Sequence, residues 1–270
     1  MHQRVSSRRA LVLVLLAAIA WGTGGPTGAF LSKAGLTPLA TSFWRLAAAA
    51  VWLLALRLLS RRRKPLNLRP SHALTGLGLA ICQLGYFTAI PRVGIGIATV
   101  IALGAAPIMI TLGARERLTP AILAALAGLA LLTTTAGKAS LTGIAAALAS
   151  AAGYSLTTLL NRNTPDPLTT ALLGFVTGAL LLAPFAALPT TWTGWLLIAY
   201  FGLVPTALAY TLFYEGLRTL KPSTASVIAL LEPVVATAIG VLFFKEHLTV
   251  VALAGAAVLL SAVAAQSRHR

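Results

Sequence analysis

Apolar stretches of about twenty residues follow one another along the whole chain, broken by short clusters rich in arginine, lysine, proline and threonine. A helix needs about 20 apolar residues to cross the hydrocarbon core of a bilayer. Runs of that kind fall at approximately 10–31, 38–59, 71–91, 93–114, 119–136, 141–161, 167–188, 194–217, 222–244 and 248–265. The breaks carry turn signals, as in "SKAGLTP", "RRRKPLNLRP", "RERLTP", "NRNTPD" and "KEHLT", and none is long enough for a soluble domain. The pattern predicts an all-α integral membrane protein with ten transmembrane helices.

The charges orient it, because lysine and arginine collect in cytoplasmic loops. With the N-terminus inside, the inner regions hold Arg4, Arg8, Arg9, Arg57, Arg61, Arg62, Arg63, Lys64, Arg69, Arg115, Arg117, Arg162, Arg218, Lys221, Arg268 and Arg270. The outer ends hold only Lys33, Arg92, Lys138 and Lys245. The expectation is a multi-pass protein of the cell (inner) membrane with both termini cytoplasmic. The opening "SSRRALVLVLL" imitates an export signal, but no small-residue cleavage site precedes a soluble region.

Composition narrows the chemistry. The 270 residues are 58% hydrophobic and 10% charged, with a formal net charge of +16, whereas a soluble domain carries about a quarter charged residues. The basic residues lie between apolar runs rather than on one solvated face, so the charge reads as topology and not as a nucleic-acid surface. Cys82 is the single cysteine, which excludes an intramolecular disulfide. His2, His72, His247 and His269 show no metal-ligand spacing, and no phosphate-binding glycine loop is present. The expected protein is not an enzyme and has no cofactor. Its expected partners are a small-molecule substrate and the lipid bilayer, with no nucleic acid and no obligate protein partner.

The two halves of the chain share a design. "FTAIPRVGIGIATVIALGAAP", Phe87 to Pro107, aligns with "FYEGLRTLKPSTASVIALLEP", Phe213 to Pro233, at a constant separation of 126 residues. "RERLTP" then answers "KEHLTV", pairing Glu116 with Glu246. The units are 1–137 and 138–270, five helices each. An odd number makes the second copy enter the membrane from the opposite side, giving two inverted five-helix repeats. Pro107 to Glu116 is four positions shorter than Pro233 to Glu246, about one helical turn. The fourth helix should therefore be shorter than the ninth, or end differently.

Ten helices in a five-plus-five duplication, a "WG" in the first helix, and the block "LEPVVATAIGVLFFKEHLT" resemble the EamA-type branch of the drug/metabolite transporter superfamily. Within it the chain is similar to bacterial exporters of aromatic amino acids. The resemblance implies export of small amphipathic metabolites by alternating access, with a cavity between the halves. A broader exporter of drugs or other amino acids is the alternative within this class; a channel or a non-transporting scaffold is the alternative outside it. The first copy departs from the motif, since Ala106 stands where the acid would be.

Transporter sites built from repeats lie where glycine or proline interrupts a helix near the midplane. "WGTGGPTG", from Trp21 to Gly28, is such a stretch, and "SAAGYSLTTLLN" is its counterpart. Close packing through small residues is the competing reading. Candidate substrate-binding residues are Trp21, Gly24, Gln83, Tyr86, Tyr154, Thr157, Tyr210 and Tyr214, which supply aromatic faces and polar groups. Interfacial anchoring competes for Tyr214 and fits Trp192, Trp195 and Tyr200. Candidate helix interruptions are Pro26, Pro107 and Pro233.

Arg45 and Glu232 are the charges well inside the spans, where charge is costly. Ala225, Ala229, Glu232, Ala236 and Gly240 share one helical face, which should turn Glu232 into the bundle. Glu232 is open to three roles: proton coupling, binding a substrate amine, or a structural acid bonded to nearby backbone. The structural role is preferred, because acid–proline belongs to the fold of the resembling family. Arg45 either holds a substrate carboxylate or pairs within the bundle, the second being preferred.

Overall fold

The computed structural model describes residues 6–59, 68–133, 140–245 and 247–268. They form α1 (Ser7–Lys33), α2 (Pro38–Leu59), α3 (Pro70–Val93), α4 (Ile95–Gly113), α5 (Pro120–Leu132), α6 (Leu141–Asn161), α7 (Pro167–Phe185), α8 (Trp192–Leu217), α9 (Pro222–Phe244) and α10 (Val250–Ser267). No strand occurs among the described residues. Short connections make neighbours antiparallel, so the odd-numbered helices run from the face at Ser7 to the face at Lys33. The unit boundary at 137/138, Lys138 and Glu246 lie outside the described residues.

Several starts follow from local chemistry. Pro70, Pro120 and Pro167 open α3, α5 and α7, where a missing N–H costs nothing. The side chains of Thr119, Ser140, Asp166 and Thr191 cap α5, α6, α7 and α8, each accepting a hydrogen bond from an amide of the first helical turn. Between α3 and α4 the connection is Gly94 alone, at φ 83°, a conformation glycine adopts without steric cost.

Among the described residues, nine helices are long and apolar enough to cross a membrane. The tenth, α5, has 13 described residues, about 20 Å of helix. The run expected to continue to 136 passes there into residues that are not described. The expected inequality of the fourth and ninth helices is present: α4 has 19 residues and α9 has 23.

The packing obeys an approximate two-fold rule in which helix n exchanges with helix n+5. In the first repeat α3 packs on α6 and α7, and in the second α8 packs on α1 and α2. Likewise α4 lies on α6 as α9 lies on α1, while α2–α7, α4–α9 and α5–α10 pair across the pseudo-axis. Since the main contacts join the repeats, neither five-helix unit buries its apolar faces alone.

Without water to drive them together, membrane helices gain by close backbone approach at small residues. A Cβ on Gly85 of α3 would lie 2.6 Å from the Ala146 carbonyl oxygen and 2.7 Å from the Ser150 nitrogen of α6. On Gly25, in the "WGTGGPTG" stretch, it would meet nothing within 4 Å. Gly85→Ala is therefore expected to destabilise by about 1–3 kcal/mol through overpacking. Gly25→Ala should be neutral or mildly stabilising, by up to about 1 kcal/mol of helix propensity. Thermal unfolding of both variants in detergent checks this; equal midpoints would contradict the packing account.

Candidate functional site

Three spans are not regular helices, and all three border the same space. α1 is interrupted at Thr23, between Ser7–Gly22 and Gly24–Lys33. α9 is interrupted at Leu230, between Pro222–Ala229 and Leu231–Phe244. In each case a proline, Pro26 or Pro233, follows the break by three residues. A proline lacks the amide that would bond to the carbonyl four residues back, and its ring crowds that carbonyl. Those carbonyls belong to Gly22 and Ala229, the last residues before each break. Pro107 behaves otherwise: α4 runs through it without a break, and the Thr111 hydroxyl bonds to its carbonyl at 2.6 Å. The expectation of an interruption there is corrected.

The third irregularity is a π-helical turn in α8, Leu203–Leu208, around Pro205. Pro205 cannot donate to the Phe201 carbonyl, and the Thr206 hydroxyl does so instead at 2.7 Å. The widened turn also offers acceptors to α2. Arg45 donates from Nε to the Thr206 hydroxyl at 3.3 Å and from a terminal nitrogen to the Pro205 carbonyl at 3.4 Å. Its guanidinium lies 4.7 Å from the centre of the Phe201 ring, a cation–π distance. Arg45 thus pairs with bundle carbonyl and hydroxyl groups. Neither the π turn nor Phe201 was anticipated; Pro205 directly after "FGLV" was the available signal.

A cavity of about 430 Å³ lies between the repeats. Its wall reaches Ser32, Leu36, Pro38, Ile90 and Ile95 at the Lys33 face, and ends at Trp21, Tyr154, Tyr210 and Ser226. Below that floor, the Ser7 half is packed solid by residues such as Val14, Phe213, Tyr214, Leu217, Val227 and Ile228. The cavity therefore opens to the Lys33 face and is closed to the other. The glycine-rich stretch of α1 serves both readings given to it. Gly22 is a packing glycine, where a Cβ would lie 2.5 Å from Val235, whereas Gly24, Gly25 and Gly28 line the cavity.

The sequence candidates divide accordingly. Trp21, Gly24, Gln83, Tyr86, Tyr154, Tyr210, Pro107 and Glu232 border the cavity. Trp21 is 5% exposed and anchors the floor, with ring centres 5.1 Å from Tyr210, 5.0 Å from Phe213 and 6.5 Å from Tyr154. Tyr86 hydrogen-bonds the Thr99 hydroxyl at 2.8 Å, and Gln83 accepts from Ser42 at 3.3 Å. Thr157 and Tyr214 lie outside the lining. Thr157 packs its methyl toward Gly78 and bonds the Tyr154 carbonyl; Tyr214 is buried behind Tyr210, at a ring separation of 5.8 Å. Trp192, Trp195 and Tyr200 are exposed, as interfacial anchors are.

Glu232 starts the second half of α9 and faces the cavity. Its carboxylate has no hydrogen bond or ion pair with any described residue, so the backbone-bonded structural role has no contact to rest on. The break at Leu230 also divides the face assumed to run from Ala225 to Gly240, although all five residues remain buried or half-buried. Arg218 and Glu215 form a local ion pair at 2.9 Å. No metal-ligand cluster occurs among the described residues.

The sequence and the fold have counterparts among known proteins. An "Uncharacterized transporter YwfM" of Bacillus subtilis (strain 168) is 34% identical over 257 residues, covering 88% of this chain and 86% of its own. An "Uncharacterized transporter" of Archaeoglobus fulgidus is 32% identical over 126 residues, 45% of this chain and 46% of its own. One crystal structure matches with a TM-score of 0.78 over 96% of both chains at 22% identity, a likeness of fold alone. The model of the EamA-like transporter family matches twice, at residues 8–134 and 137–267. A duplicated match of that extent, on a ten-helix bundle with a cavity between its repeats, means that the chain belongs to the EamA-like transporter family.

Proposed function

We propose that the chain exports small amphipathic metabolites, aromatic amino acids foremost, by alternating access through the cavity between its repeats. The observation that carries this reading is the lining of one half-open cavity by aromatic rings and two unlike charges. Trp21, Tyr86, Phe87, Tyr154, Phe201 and Tyr210 provide apolar and ring-stacking surface, while Arg45 and Glu232 provide opposite poles. Its volume falls within the roughly 300–1,000 Å³ of small-molecule sites. A zwitterionic amino acid with a flat side chain suits it: carboxylate toward Arg45, ammonium toward Glu232, ring among the tyrosines. In this reading the Ser7 face is cytoplasmic, and the Lys33 face to which the cavity opens is exterior.

Counterflow of labelled phenylalanine, tryptophan and threonine into proteoliposomes tests it. Flux should saturate, with both aromatic amino acids competing at least tenfold better than threonine. Equal competition by all three would favour a broad exporter of drugs or other amino acids, and flux without saturation would favour a channel. Arg45→Gln should raise the half-saturating concentration by about tenfold or more, the loss of a charged hydrogen bond being worth about 1.5–3 kcal/mol. Unchanged half-saturation in folded Arg45→Gln would remove the carboxylate from that pole.

Topology is a separate expectation. Reporter fusions at Ser7 and after Ser267 should both register as cytoplasmic in cells of a bacterial host. An exterior signal from either would invert the assignment of the faces.

A further inference from the structure

The turn between α4 and α5 belongs to the repeated Glu-Xaa-Leu-Thr motif, yet it touches no part of the cavity. α4 closes with Arg115 in the left-handed conformation, φ 57°. The Arg115 amide donates to the Leu112 carbonyl at 3.0 Å, and the Glu116 amide to that of Thr111 at 2.8 Å. Helices commonly end in this way, but with glycine at the left-handed position. Lys245 repeats the feature at the end of α9, at φ 56°.

The turn carries the Glu116 side chain across to the other repeat. The Ser223 amide donates to Glu116 Oε2 at 3.3 Å, and the Ser223 hydroxyl donates to the same oxygen. Pro222, the first residue of α9, has no N–H, so this amide is the first that the helix presents. Three residues on, the Thr119 hydroxyl donates to Gln266 Oε1 of α10 at 2.8 Å, and Gln266 Nε2 donates to the Thr224 hydroxyl at 3.4 Å. Gln266 is 2% exposed. Two residues of the first repeat therefore grip the first turn of α9 through a largely buried polar network. It lies on the Ser7 face, where the cavity is closed.

The chemistry suits a clamp that can be released. A carboxylate favours the partial positive charge of a helix N-terminus, and hydrogen bonds to an ionised acceptor are among the stronger ones. The gripped half of α9, Pro222–Ala229, is buried throughout. Directly after it comes the break at Leu230, and then Glu232 in the cavity wall. A clamped, buried half-helix is thus joined at the break to the half that faces the cavity.

We infer that Glu116 is the latch that holds the cavity shut on the Ser7 face: its release from the N-terminus of α9 lets Pro222–Ala229 turn about Leu230 and opens that side. The inference rests on the alternating-access reading above. Cys82 is the single cysteine of the chain and lines the cavity, so it reports which face is open without any knowledge of the substrate.

The test is the rate of Cys82 modification by a membrane-impermeant thiol reagent, applied from one face at a time to oriented proteoliposomes. Wild type should react faster from the Lys33 face. Glu116→Ala should raise the rate from the Ser7 face about fivefold or more and lower it from the other, as removal of one good capping interaction would. Ser223→Ala should act in the same direction and more weakly. Glu215→Gln, which removes a carboxylate at the same face that bonds Arg218 of its own repeat, should leave both rates unchanged. If Glu116→Ala does not fold, Glu116→Gln serves, with a shift between those of wild type and Ser223→Ala. Folded Glu116 variants with wild-type rates from both faces would overturn the latch alone. Equal rates from both faces in wild type would overturn alternating access itself.

Discussion

In hydrocarbon no water satisfies a backbone amide or carbonyl that has lost its helical partner, so a spanning chain may break its helices only where protein or a polar space takes over. This constraint organises the molecule. The interruptions at Thr23 and Leu230 and the π turn at Leu203–Leu208 gather at the centre. Two of them are stabilised by named groups: at the first the Thr23 hydroxyl bonds the Ala20 carbonyl, and at the π turn the Thr206 hydroxyl bonds that of Phe201 and Arg45 that of Pro205. The regular helices around that centre are joined through glycine contacts.

The two repeats share a plan and differ at their fourth and ninth helices, α4 and α9. Each sends its third helix against the first two helices of its partner, so the bundle is an interlocked pair rather than two domains in contact. Yet α4 continues through Pro107 while α9 breaks before Pro233, and α9 is longer by four residues. The acid follows the same asymmetry, Glu232 having Ala106 as its counterpart. The cavity wall is consequently unequal: on one side a continuous apolar helix, on the other a hinged helix with a charge.

Much of this architecture is legible in the sequence, because a bilayer reduces folding to length, hydropathy and the placement of arginine. The ten runs, their repeat and the four-residue inequality all follow from spacing. The cavity is less legible. Trp21, Tyr86, Tyr154 and Tyr210 stand out as aromatic residues beside helix breaks, and the structure brings them together. Thr157 and Tyr214 are indistinguishable from these by residue type; only the rotation of α6 and α8 about their axes removes them from the wall, and a helix apolar on all sides carries no periodic signal of that rotation. The π turn is hidden because one proline does not specify whether a helix kinks, breaks or widens. Pro107 and Pro205 are alike in sequence and differ in outcome through their neighbours: Thr111 bonds the Pro107 carbonyl, whereas Arg45 and Thr206 hold the widened turn.

The proposed transport places the carried molecule in the space between Trp21, Arg45, Glu232 and Tyr210. Its most direct test is substrate protection of Cys82 in the wild-type protein. Thiol modification from the open face should slow as phenylalanine is added, saturating at the same half-maximal concentration as transport. Transport that saturates while Cys82 reacts at an unchanged rate would place the substrate elsewhere and contradict the account.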